Sequence, residues 1–144
     1  MSKRPPQPLP LRHPDWPQRL ADYIEQRRAQ PFAWGAQDCC TFAGDAVLHL
    51  TGADPMADLR HVKTAAAATR LLKRHPLPAL VAERMGAMRP ATLAHRGDVV
   101  LIEQEARQLL GVCLGSHWAA PGDAGLVFGP MDAALGAWPA GRGA

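Results

Sequence analysis

The sequence FAWGAQDCCTFAGDAVLHLTG, which spans Phe32–Gly52, predicts a buried helix with a cysteine at its first position. Asp38 is a typical N-cap residue, because its carboxylate accepts hydrogen bonds from the unpaired amides of the first turn. Apolar side chains then recur at intervals of three and four residues, which places them on one helical face. This face consists of Cys39, Phe42, Ala43, Ala46, Val47 and Leu50. Gly52 suits the left-handed cap that commonly ends a helix.

Cys39 has two interpretations at this stage. At a helix start the peptide dipoles favour a thiolate over a thiol, so Cys39 is a candidate nucleophile. Trp34 and Gly35, just upstream, allow a tight turn beneath an aromatic side chain. Cysteine is also a small hydrophobe that often packs in the core, which is the structural alternative.

The wider pattern Trp-Gly-x-x-Asp-Cys-Cys-x-Phe resembles the nucleophile segment of NlpC/P60 cell-wall cysteine peptidases, in the variant found in phages and prophages. The resemblance implies a papain-like α+β fold, in which the nucleophile helix packs on a small antiparallel sheet. It implies Cys39 as the nucleophile and Asp38 as the helix cap. Cys40 supplies either an amide of the oxyanion site or the alternative thiol, because a one-residue shift of the helix start exchanges the two cysteines.

The composition predicts one folded domain. The chain has 144 residues, of which 47% are hydrophobic and 20% charged, and a net charge of +3. That charge is scattered in short groups, which indicates a solvated surface and no nucleic-acid partner. Three cysteines, two of them adjacent, do not form a disulfide framework, so we expect free thiols. We predict no metal ion and no other cofactor.

The two ends of the chain predict flexible segments around the domain. Residues 1–14 are proline-rich and we expect a disordered lead-in; the domain spans 15–138 and a flexible tail 139–144. No apolar region of a signal peptide follows the first charges. No apolar run approaches the roughly 20 residues that span a bilayer. We therefore expect synthesis in the cytoplasm without a signal peptide, no membrane insertion, and association with a virion tail if the protein acts on the cell wall.

Helical patterns come first along the chain and strand patterns afterwards, which indicates an α+β fold. The predicted helices lie at about 15–29, 38–52, 64–75 and 78–85. The predicted strands are 98–102, 109–114, 116–120 and 126–128, and the segment 133–138 returns to the core. The polar linker 103–108 is interpreted as a hairpin loop of moderate length.

The strands also resemble the NlpC/P60 family, but the catalytic partners of the cysteine are missing. Residues 96–101 resemble its Pro-Gly-Asp-hydrophobic strand, and residues 110–115 its Val-Gly-Ile-Tyr-x-Gly strand. In the family, the histidine that accepts the thiol proton directly precedes Val-Gly. Leu109 stands at that position here. The third polar residue of the family falls near Ala120 or Pro121, neither of which can orient a histidine.

No other histidine is well placed on sequence grounds. His49 lies roughly 15 Å along the helix that Cys39 begins. His95 and His117 belong to the opposite end of the hairpin, about 20 Å or more away. They would also need a third ligand to bind zinc, for which Asp98 is a weak candidate. His61, in a loop of unpredicted course, remains the candidate base.

Three functional hypotheses follow from the sequence. The first is a tail-associated cysteine hydrolase, a peptidase or amidase that acts on peptidoglycan peptides with Cys39 as nucleophile. The second is a pseudoenzyme, a catalytically inactive structural or assembly component that contacts other phage tail proteins. The third is acyl transfer, with Cys39 or Cys40 as the acyl carrier. The loss of the histidine leaves enzymatic activity undecided.

Overall fold

The computed structural model describes residues 8–142, which form a mixed α+β domain. The helices are α1 (Trp16–Arg27), α2 (Cys39–Thr51), α3 (Ala65–Arg74) and α4 (Leu77–Met85). The strands are β1 (Val99–Gln104), β2 (Arg107–Cys113), β3 (His117–Gly122), β4 (Gly125–Pro130) and β5 (Ala134–Trp138). The predicted α+β class is confirmed, and the segment predicted only to return to the core is the fifth strand. Within the described range, no helix combines the length and apolar character needed to cross a membrane.

The sheet has the strand order β4-β3-β2-β1-β5, and every pair of neighbours is antiparallel. Both faces of its centre are covered, which explains why the sequence of β1 is continuously apolar rather than alternating. Val99 and Leu101 face the core formed with the helices, whereas Val100 and Ile102 belong to a second, smaller cluster on the opposite face.

Helix α2 occupies the centre of the larger core, as its apolar face predicts. Its apolar side chains are fully buried against β1, β2, α1 and α4; they are Phe42, Ala43, Ala46, Val47 and Leu50. Each fully buried large apolar side chain contributes roughly 1.5–3 kcal/mol to folding. The Tyr23 hydroxyl donates a 2.7 Å hydrogen bond to the Phe42 carbonyl and joins α1 to α2. This packing fixes the position of the helix start relative to the sheet.

The connection between β1 and β2 is much tighter than the predicted loop at 103–108. β1 continues to Gln104, and β2 begins at its pairing partner Arg107, so the turn has only two residues. Glu105 and Ala106 adopt left-handed conformations, with φ angles of 52° and 61°. Such turns match the twist of the paired strands but usually contain Asn-Gly. Because Asn-Gly is absent here, the sequence did not predict a tight turn.

Both ends of the domain extend beyond the predicted bounds 15 and 138. Residues 1–7 of the predicted lead-in and 143–144 of the predicted tail lie outside the described residues. Arg12 is 7% exposed, and its guanidinium bonds to the Asp98 carboxylate and the Ala140 carbonyl. Leu11 pairs with Arg142 in an isolated parallel bridge. These contacts join residues more than 80 positions apart, and local sequence patterns do not reveal them.

Candidate functional site

The start of α2 is fixed by a complete capping box. Asp38 accepts a 2.8 Å hydrogen bond from the Thr41 amide through Oδ1 and a 2.7 Å bond from the Gly35 amide through Oδ2. The Thr41 hydroxyl accepts a hydrogen bond from the Asp38 amide in return. Cys39 is therefore the first residue inside the helix, and Cys40 the second. The amides of both residues have no partner within the helix, as in any first helical turn.

Both cysteines line a cleft with a volume of about 490 Å³. This lies within the usual range of ligand pockets, about 300–1,000 Å³. Trp34 and Phe32 line it upstream of the cysteines, with ring centroids 4.7 Å apart in an edge-to-face arrangement. The segment Leu59–Leu80 contributes an apolar wall made of Leu59, Val62, Ala68, Leu71, Leu72, Leu77 and Leu80. The polar part of the lining comes from the β1–β2 turn and its flanks, with Gln104, Glu105, Arg107 and Gln108, and from Asp123 in the β3–β4 turn.

The two thiols are partly buried and interact with each other. A hydrogen bond from the Cys40 thiol lowers the pKa of Cys39, and the Leu110 amide lowers it further, against the opposing effect of burial. The same hydrogen bond to Cys39, together with burial, raises the pKa of Cys40. The pair therefore divides its protons unequally, so that Cys39 ionises first while Cys40 keeps its proton.

The Leu110 amide is available to Cys39 because of the way the sheet opens. β3 pairs with β2 only at Val112 and Cys113, so the strands separate towards the cleft. The Leu110 amide, which belongs to this opened region, lowers the pKa of the Cys39 thiol. A buried amide that lacks a strand partner carries a desolvation cost unless another acceptor replaces it, and a thiolate is such an acceptor.

The cleft lacks a histidine among residues 8–142, and Leu109 and Pro121 line it instead. Leu109 also packs against the smaller apolar cluster on the far face of the sheet. His61, the candidate base, is exposed and outside the cleft lining, whereas its neighbour Val62 lines the cleft. The structure thus brings together Asp38, Cys39 and Cys40 but leaves His61 apart from them.

The three other histidines considered in the sequence analysis do not line the cleft. His49 contacts the Asp45 carbonyl at 2.8 Å and lies against the Tyr23 ring, at a centroid distance of 4.7 Å. His117 is exposed and bonds to the Ser116 hydroxyl. His95 is also exposed and lines a different cavity. Within the described part of the chain, no group of three or more His, Cys, Asp or Glu side chains is arranged to hold a metal ion.

Two features of the cleft were missed by the sequence interpretation. The polar side chains of the β1–β2 turn line the cleft beside the cysteines, although the sequence had only placed them near the end of the hairpin that holds Leu109. The second feature is the Leu110 amide, for which no sequence signal exists, because every residue other than proline carries a backbone donor.

One family model matches the chain. Its description is "Domain of unknown function (DUF6950)", and it matches residues 11–140. Neither the curated proteins nor the solved structures include a significant match. The matched range begins beside Arg12 and ends at Ala140, which agrees with the packed extent of the domain.

Proposed function

The chain belongs to the DUF6950 family, and we propose that its cleft is a site of acyl chemistry in which the Cys39 thiolate attacks a carbonyl carbon. One observation carries the proposal. Cys39 is the first residue of a buried helix and lines a cleft of about 490 Å³, and the Cys40 thiol and the Leu110 amide lower the pKa of its thiol. Thiolate stabilisation at a helix start is how reactive cysteines are commonly activated.

The helix start also provides for the oxyanion that such an attack creates. The amides of Cys39 and Cys40 have no helical partners, and they lie at the positive end of the α2 dipole. Preorganised amides at a developing oxyanion are often the largest single contribution to acyl-transfer catalysis. In this proposal Asp38 has a structural role, because both of its oxygens are used in the cap.

The resemblance to NlpC/P60 proteins supplies a biological setting for this proposal. It favours a papain-like domain of a phage or prophage tail that meets peptidoglycan peptides during cell-wall penetration. The missing histidine has a definite cost, because general acid–base catalysis contributes typically 10²–10⁴-fold. We therefore propose slow, Cys39-dependent reaction with cell-wall peptides rather than efficient turnover.

A second candidate function is an inactive tail component that uses the cleft only to bind another protein. It is favoured by Leu109, which stands where the resemblance implies a histidine, and by Pro121, which with Ala120 is near the implied third position; Leu109 and Pro121 both line the cleft. In this case the thiols are packing groups, and the partner is another tail protein.

Incubation with purified peptidoglycan distinguishes the two functions. The native protein and Cys39→Ala are compared for soluble peptide fragments and for peptide adducts on each cysteine, both identified by mass spectrometry. Cys113→Ala serves as the matched control, because this thiol is buried outside the cleft. The acyl-site proposal predicts fragments or adducts that Cys39→Ala abolishes and Cys113→Ala retains. The absence of any Cys39-dependent product favours the structural role.

A further inference from the structure

The surroundings of the Cys39 sulfur determine which bonds it can break. Among the described residues no histidine lines the cleft that holds Cys39, and the groups that lower the pKa of its thiol are the Cys40 thiol, the Leu110 amide and its own amide. Together they stabilise a thiolate without a base. In a cysteine–histidine site, the histidine that removes the thiol proton later gives it to the leaving group. The Cys39 site stores no such proton.

The lack of a proton donor hinders the cleavage of amides but not that of thioesters. Attack on an amide gives a tetrahedral intermediate that must expel either the attacking thiolate or an amine. The thiolate leaves readily, but the amine leaves only after it has been protonated, so without an acid the intermediate returns to substrate. In a thioester both candidate leaving groups are thiolates, whose departure is governed by their thiol pKa values and requires no proton donor.

Cys40 does not replace the missing acid. Its hydrogen bond to ionised Cys39 and its burial both raise its pKa. The first effect ends when the Cys39 sulfur bonds to the acyl carbon, but burial still makes Cys40 a weak acid towards a leaving amine. Its role towards Cys39 is that of a positioning residue, which keeps the neighbouring sulfur ionised. Asp38 is likewise occupied, since both of its oxygens accept backbone hydrogen bonds.

We propose that the acyl donor for this site is a thioester, and that the reaction is transthioesterification onto Cys39. The Cys39 sulfur forms a bond to the acyl carbon, and the bond from that carbon to the donor sulfur breaks. The electron pair leaves with the donor thiolate, which takes a proton from water, and no oxidation or reduction occurs. The acyl group then remains on Cys39 until a second nucleophile removes it.

The shape of the cleft assigns the kind of acyl group. Its wall between Leu59 and Leu80 is lined by seven aliphatic side chains and no charged one. The polar side near the β1–β2 turn faces the other part of a bound molecule. An aliphatic acyl chain against the apolar wall, with a polar leaving group towards the turn, uses both sides. This inference rests on the proposed function, since both require Cys39 as the nucleophile, but it adds the leaving group and the acyl class.

A matched pair of probes tests the inference on the full-length protein. The thioester probe is the octanoyl thioester of N-acetylcysteamine, and the amide probe is the octanoyl amide with the same remaining structure. Acylation of each cysteine is followed at several pH values by mass spectrometry after proteolysis. We expect octanoylation of Cys39 by the thioester, at least about tenfold faster than that of Cys113, because the thiolate is the reacting species. We expect the amide to acylate Cys39 at least about 100-fold more slowly, because without a positioned acid most of the tetrahedral intermediate returns to substrate.

Two variants test the contribution of Cys40. Cys40→Ala removes the donor, so acylation of Cys39 slows at neutral pH and recovers at alkaline pH, whereas Cys40→Ser keeps a donor and lies between. A loss that is equal at all pH values would show a merely structural role for Cys40 and overturn its assignment.

The outcomes separate this inference from the proposed function. If iodoacetamide modifies Cys39 rapidly but the thioester does not, the thioester inference is wrong and the nucleophile proposal stands. If Cys39 resists both reagents, both are wrong. If the amide probe acylates Cys39 about as fast as the thioester does, the site contains an acid and the thioester inference is overturned.

Discussion

The two ends of the β1–β2 hairpin are built in opposite ways. At its open end, Asp98 accepts hydrogen bonds from Arg12, from the Ala140 amide and from the His95 amide, and Arg12 also donates to two backbone carbonyls. This network is nearly inaccessible, with side-chain exposures of 2% for Arg12 and 5% for Asp98. At its turn end, two partly buried thiols and the first amides of α2 face an open cleft.

The polar groups at the two ends differ in role: those at the open end bond to each other, whereas those at the turn end surround a thiol that lines a cleft. At the open end the polar groups of Arg12 and Asp98 have partners inside the protein, so the network ties residue 12 to residues 98 and 140. At the turn end the donors that surround Cys39 favour negative charge on its sulfur, and the cleft provides space for a carbonyl group to approach. We therefore assign stability to the open end and chemistry to the turn end.

Asp98→Ala gives the largest expected effect at the open end. The substitution leaves the buried Arg12 guanidinium without its carboxylate, and burial alone already lowers the pKa of Arg12. Removal of one partner of a buried ion pair costs about 3–5 kcal/mol. We expect the free energy of unfolding, measured by urea denaturation, to fall by about this amount.

Asp58→Ala is the matched control for Asp98→Ala. Asp58 pairs with Arg84 at 2.7 Å, but its side chain is 64% exposed. Exposed ion pairs contribute about 0–1 kcal/mol, so this variant stays close to the native stability. Equal losses in the two variants would contradict the special role of the open end.

At the turn end, the double variant Glu105→Asn, Ala106→Gly tests stored strain. Both residues have positive φ angles, which cost non-glycine residues roughly 1–2 kcal/mol each. Asn-Gly suits this turn, and we expect the melting temperature to rise by the equivalent of about 1 kcal/mol. Glu105→Gln keeps the strain and serves as the control. A lower melting temperature of the double variant would refute the strain.

Asp38→Asn has the smallest expected effect on stability and a specific effect on Cys39. Asparagine keeps the N-cap acceptor but loses one acceptor for the Gly35 amide, which costs about 1 kcal/mol. The negative charge of Asp38 raises the pKa of Cys39, so its removal lowers that pKa. We expect faster alkylation of Cys39 at acidic and neutral pH. A slower reaction at these pH values would contradict the electrostatic account.

Local signals predicted most of the fold. The caps of the helices depend on residues within one turn, and Asp38 and Gly52 both stand at the ends of α2 as expected. The hairpin was predicted because the two apolar segments 98–102 and 109–114 are separated by the polar linker 103–108. The buried Arg12 network was missed because its members lie far apart in sequence, and the tight turn was missed because Glu-Ala is unusual in left-handed positions.

The candidate site was only partly predictable. The helix start located Cys39, and Leu109, where the resemblance to NlpC/P60 proteins implies a histidine, lines the same cleft. The mutual orientation of Cys39 and Cys40 depends on side-chain conformations, and the Leu110 donor depends on where β2 and β3 separate. Neither feature can be predicted from the spacing of residue types. The directions of the pKa shifts of the two thiols could therefore be inferred only from the folded structure.

The most direct test of this account is the rate of iodoacetamide alkylation against pH, measured for each cysteine of the native protein. The account predicts that Cys39 reacts fastest, with an apparent pKa below the value of about 8.5 for a free cysteine. Cys40, whose proton is held by Cys39, and Cys113, whose pKa is raised by burial, react more slowly. Cys39 that reacts no faster than Cys113, or titrates at or above 8.5, would contradict the central claim and favour a structural role for the domain.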